Sequence, residues 1–121
     1  MYEFKIDQVK NRLYITMEGF FQPEEMKHCA DETINAVKQL KPGYDVITDI
    51  SSFSPVGSEA WQEISRVQEY FKKSGVRHGI RVIGKQVLTK MQFQRLGKGA
   101  EYTPTEFVTL AEAESFLDSQ P

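Results

Sequence analysis

The segment 44-YDVITDI-50 limits the architectures open to this chain more than any other stretch. Val46 and Ile47 are adjacent and apolar, so one points to each side of an extended strand. A strand that must bury both faces belongs in the middle of a sheet covered on both sides, most often a parallel one. Helical stripes flank it. Upstream, Met26, Cys29, Ala30, Thr33, Ile34, Val37 and Leu40 recur at helical spacing after Pro23-Glu24-Glu25 and before the stop Pro42-Gly43. Downstream, Ala60, Trp61, Ile64, Val67, Tyr70 and Phe71 do the same, and Lys72 and Lys73 fall where the helix dipole favours cations.

The remaining segments extend this pattern. Residues 2–9 alternate, with Tyr2, Phe4 and Ile6 on one face. After a turn at Lys10-Asn11, RLYITMEGF alternates again through Leu13, Ile15 and Met17. IRVIG (80–84) reads as a second buried strand. Val87, Leu88, Met91 and Leu96 predict a helix ending at Gly97, and Phe107-Val108 a short last strand. Thr109 and Glu112 have capping-box spacing ahead of a helix that faces inward through Leu110, Ala113, Phe116 and Leu117. The expected order is β-β-α-β-α-β-α-β-α: an α/β fold with a mixed sheet, an N-terminal hairpin and then alternating strands and helices. A chain of 121 residues with 40% hydrophobic residues suits one domain, taken as residues 1–121.

Composition removes several function classes. Cys29 is the only cysteine, so neither an internal disulfide nor a paired-cysteine metal site can form. No apolar run approaches membrane-span length, and a cytoplasmic location is the expectation. Net charge is −2, with eight basic side chains and no acid between residues 70 and 100. That block either balances the acidic flanks or attracts an anion. Nucleic acid is not an expected partner, because overall positive charge and a known binding motif are both missing. His28 and Cys29 are sequence neighbours that diverge on a helix, His78 has no sequence partner for a metal, and Gly97-Lys98-Gly99 lacks phosphate-loop spacing. No catalytic, metal or cofactor constellation emerges, and the expectation is a protein that is not an enzyme.

The segment 49-DISSFSPVGS-58 is the exception to this chemical silence. It follows the central strand, where ligands of open α/β sheets bind, and Asp49 is read as the end of that strand. Ser58 stands at the start of the next helix, and three roles fit it: N-cap, phosphoacceptor, or part of an anion cradle with the helix amides. Asp49, Ser51, Ser52, Ser54, Gly57 and Glu59 make up the surrounding interaction loop. Trp61 reads as core or as an exposed anchor. With Phe71 and Phe93 it is a candidate lining for a ligand cavity.

The whole arrangement resembles the STAS domain of bacterial anti-sigma-factor antagonists and of sulphate transporters, from about Leu13 to Leu117. The resemblance rests on LYITMEGFF, the helix opened at Pro23, DVITDIS with its loop to Ser58, IRVIGKQVLTKM and FVTLAEAESFL. It implies a non-enzymatic regulatory domain that binds a protein partner, such as an anti-sigma-type kinase or another signalling protein. It also implies that Ser58 occupies the phosphoacceptor position, in a degenerate loop where Val56, Gly57 and Glu59 replace the family's aspartate, first serine and glycine. The same layout supports an alternative, a module for a small anionic ligand or lipid near the basic segment 72–98. The sequence fixes no oligomeric state.

Overall fold

A computed structural model describes residues 1–54, 56–84 and 104–121. Strands β1 (Tyr2–Asp7) and β2 (Arg12–Gly19) form the expected hairpin. Its turn is closed by the Asp7 carboxylate accepting from the Lys10 amide at 3.0 Å, with Asn11 in the left-handed region that asparagine tolerates. Helix α1 (Pro23–Val37) leads to β3 (Asp45–Phe53), and α2 (Ser58–Lys73) leads to β4 (His78–Val82). Strand β5 (Thr105–Phe107) precedes α3 (Leu110–Asp118). The helix expected over Val87–Leu96 lies outside the described residues, as does Phe93.

The five strands lie in sequence order, β1-β2-β3-β4-β5. β1 runs antiparallel to β2, and every later pair is parallel, as strand–helix alternation demands. Period-two alternation then separates two cores. Leu13, Ile15 and Met17 of β2 and Val46 and Ile50 of β3 pack with α1 and α2. Ile47, Ile80 and Val82 face the other way, onto Ala113 and Leu117 of α3. The adjacent pair Val46-Ile47 is thus split between the two layers, each residue almost fully buried. Burying one such side chain is worth roughly 1.5–3 kcal/mol.

The end of the sheet opposite the serine segment is locked by charge. The Asp45 carboxylate is 1% exposed and takes two bonds from Arg77, Nε at 3.1 Å and Nη2 at 2.6 Å, and a third from the His78 amide at 3.1 Å. Nearby, Arg12 bonds Asp118 at 2.9 Å and the Tyr14 hydroxyl at 3.1 Å, and Tyr14 bonds Glu114 at 2.9 Å, tying α3 to β2. The capping box of α3 is present in both directions, each bond at 3.2 Å. No described helix is long and apolar enough to cross a membrane.

Candidate functional site

Strand β3 does not end at Asp49. It continues through Ser51 and Ser52 to Phe53, because its pairing with β2 resumes after an irregularity. Thr16 pairs with Asp49 and Glu18 with Ser52, so β3 takes three steps where β2 takes two. This is a bulge, and Asp49 stabilises it from within the strand. Its Oδ1 accepts the Ser51 amide at 3.0 Å and the Ser51 hydroxyl at 2.6 Å. Asp49 is therefore a local brace and not the rim residue the sequence suggested. Gly84, at φ +53°, packs against the same point: a Cβ there would stand 2.9 Å from the Ser51 Cβ.

Beyond the bulge, Phe53 and Val56 are buried and the Ser54 amide donates to the Gly19 carbonyl at 3.0 Å. The amides of Ser51 and Ser54 are thus matched internally. What remains open is the start of α2. Ser52, Gly57, Ser58 and Glu59 are exposed and Ser54 is half-buried. Gly57, not Ser58, is the N-cap, with extended backbone (φ −78°, ψ 175°) and no side-chain cap. The first intrahelical bond runs from the Trp61 amide to the Gly57 carbonyl at 3.1 Å, so the preceding amides of the first turn have no carbonyl within the helix. Ser58 is the first helical residue. Its hydroxyl is not spent on capping because glycine took that position.

A second helix start shares this rim. Helix α1 begins at Pro23 after Gln22, again with no side-chain cap. The Met1 ammonium bonds the Glu18 carbonyl at 3.1 Å and Glu25 at 2.8 Å. Phe20 is 57% exposed between β2 and α1, while its neighbour Phe21 is fully buried. Among the described residues the rim thus carries one exposed aromatic and the carboxylates of Glu18, Glu24, Glu25 and Glu59. Those acids oppose the attraction that two helix N-termini would exert on a free anion and favour a basic surface opposite them. Phe20 was missed in the sequence because adjacent phenylalanines at a strand end do not say which one turns inward.

The aromatic cavity expected from Trp61, Phe71 and Phe93 takes a different form. Phe71 is buried, with its ring 6.4 Å from that of Tyr44, and it lines a space of about 50 Å³ between α1, α2 and the sheet. Trp61 is half-buried against the same core but is not among the described lining residues, and Phe93 lies outside the described region. A space of this size is far short of a lipid. Of the basic segment, Arg77 is committed to Asp45 and Arg81 is buried, Lys72 and Lys73 are exposed, and residues 85–98 lie outside the described residues.

His28 is exposed, 4.0 Å from Glu24, while Cys29 is buried beside it on the helix. Burial pushes the Cys29 thiol up to about 12, the opposite of an activated nucleophile. Among the described residues no group of three or more His, Cys, Asp or Glu could hold a metal ion.

No family model matches the sequence, and no curated protein matches it. The fold does have counterparts. The anti-sigma factor antagonist SpoIIAA in its unphosphorylated form superposes with a TM-score of 0.68 at 12% identity, covering 99% of this chain and 100% of that one. The NMR structure of the protein TM1081 superposes with a TM-score of 0.62 at 16% identity, covering 99% and 90%. The fold is therefore the STAS-like one that the order of elements suggested.

Proposed function

We propose that this STAS-like chain is a regulatory interaction domain that docks a protein partner at the carboxyl rim of its sheet, with Ser58 as a phosphorylation switch. One observation carries the proposal. The Ser58 hydroxyl is exposed on the first residue of α2, and the cap position before it is a glycine that leaves the hydroxyl and the leading amides uncommitted. The likeness to an anti-sigma factor antagonist that has an unphosphorylated form supports the same reading.

A phosphate on Ser58 would add about −1.5 to −2 charge units. The helix amides would accept it locally, while Glu59 and the acids of α1 would make the rim more negative as a whole. The partner is an anti-sigma-type kinase or another signalling protein whose facing surface is basic with an apolar recess for Phe20. A basic surface would bind the phosphorylated rim more strongly.

The test incubates the chain with a candidate kinase partner and ATP and reads intact mass. One added phosphate on the wild type and none on Ser58→Ala is the expected pair. Partner affinity is then compared for wild type, Ser58→Asp and Ser58→Ala. Equal affinity across all three removes the switch, and loss of binding in Phe20→Ala marks the docking surface independently.

A further inference from the structure

The space between α1 and α2 holds a buried acceptor that its packing does not explain. Gln68 of α2 is 3% exposed, lines this space, and its side-chain oxygen is buried with no hydrogen-bond partner. Buried acceptors are nearly always satisfied, so an orphan beside an open volume points to a missing donor. The rest of the described lining is chiefly apolar, with Met17, Met26, Ala30 and Ile64 among its residues. Arg81 lines it too; it has a partner elsewhere, while its Nη1 makes no hydrogen bond. Glu63 and Arg81 carry opposite charges, so the described lining has no net charge to neutralise.

We propose that this space is a binding site for a small neutral molecule, chiefly apolar, that carries one N–H or O–H donor for the Gln68 oxygen. Its volume of about 50 Å³ exceeds the share of one water, ~30 Å³, and is well below the ~150 Å³ of a void that holds benzene. A five-membered ring, one atom smaller than benzene, exceeds that volume and enters only as Met17 and Met26, unbranched and adaptable, move aside. Arg66 of α2 bridges Asp31 of α1 at 2.7 Å and Glu63 of its own helix at 2.8 Å. Glu63 also lines the space, so this ion triad ties together the two helices that form the site. The site stands apart from the Ser58 rim and does not depend on the partner proposed there.

The test uses two five-membered rings of equal size, pyrrole with an N–H donor and furan without one. Each is titrated into the ¹⁵N-labelled chain while amide shifts of Ala30, Thr33 and Gln68 are followed. The expected result is saturable binding, with pyrrole roughly threefold to tenfold tighter, the worth of one neutral hydrogen bond. Gln68→Leu should bring that ratio to about one, and Ala30→Leu, which fills the space, should abolish both titrations. No saturable shift with either ring means the space holds water only and overturns the proposal, as does equal affinity for both rings in the wild type. The wild-type comparison decides the matter even if Gln68→Leu fails to fold.

Discussion

Replacing Gly84 by alanine tests the geometry beneath the candidate surface, because two separable costs meet at that position. The first is conformational. Gly84 sits at φ +53°, where an L side chain costs about 1–2 kcal/mol. The second is steric. The new Cβ would lie 2.9 Å from the Ser51 Cβ and 3.6 Å from its Cα. The nearest atom is fixed to the backbone of the bulge, so it cannot swing away as the tip of a long side chain would. Overpacking of this kind costs about 1–3 kcal/mol. Gly84→Ala should therefore destabilise the fold by roughly 2–5 kcal/mol, a large part of the ~5–15 kcal/mol expected of a domain this size. A double-mutant cycle separates the two costs. In a Ser51→Gly background the nearest remaining atom is the Ser51 Cα at 3.6 Å, an ordinary contact. There the same substitution should cost only the conformational part, about 1–2 kcal/mol. Urea unfolding of the four proteins gives the coupling energy directly, and about 1–3 kcal/mol is expected. A coupling below about 0.5 kcal/mol, the level at which independent sites add, would refute the close approach of Gly84 to the bulge. The wild type and Ser51→Gly should share an m-value, since a change would mean that the bulge had opened rather than relaxed.

Two further predictions concern the core and the charged end of the sheet. Arg77→Ala leaves the Asp45 carboxylate buried with only the His78 amide, and should cost about 3 kcal/mol by urea unfolding, the low end for a broken buried pair because the Arg77 side chain is 36% exposed and water can follow it in. Replacing both partners at once, Asp45→Asn with Arg77→Leu, should cost less than Arg77→Ala alone; a larger cost would contradict the view that the stranded charge dominates. Burial pushes the Cys29 thiol from 9.0 and the Tyr44 hydroxyl from 10.0, each up to about 12. Both folded values lie above the unfolded ones, so the unfolded chain loses its protons first, and stability present below pH 9 falls as pH rises toward 12. The slope approaches roughly 1.4 kcal/mol per pH unit for each group. Between pH 9 and 10 Cys29 should dominate this loss, and Cys29→Ala should flatten that window in pH-dependent urea melts. An unchanged slope would mean the thiol is not held protonated.

The order of elements was legible because it rests on local rules. Val46-Ile47 required two covered faces, Pro23 and Pro42-Gly43 bounded a helix, and Thr109 with Glu112 announced a capping box that forms as spaced. Each is a relation between residues a few positions apart, where spacing alone fixes geometry. The candidate surface was legible only in part. Its place after the central strand followed from the α/β alternation, but Asp49 as a strand end and Ser58 as a cap did not hold. Strand β3 continues past Asp49 because β2 beside it still offers pairing partners through Gly19, and that register is a property of two strands together. Once the strand had lengthened and bulged, Gly57 took the cap position and Ser58 moved into the helix.

The sequence by itself determined the described helices and strands and their layering, since periodicity decides which residues seek burial. Only the tertiary structure decided that Phe21 turns inward and Phe20 outward, that Gly84 meets Ser51, and that Gln68 faces unfilled space with an unmatched oxygen. Those facts depend on distances between segments remote in the chain. Such distances are set by the packing of the whole molecule, and no local pattern encodes them.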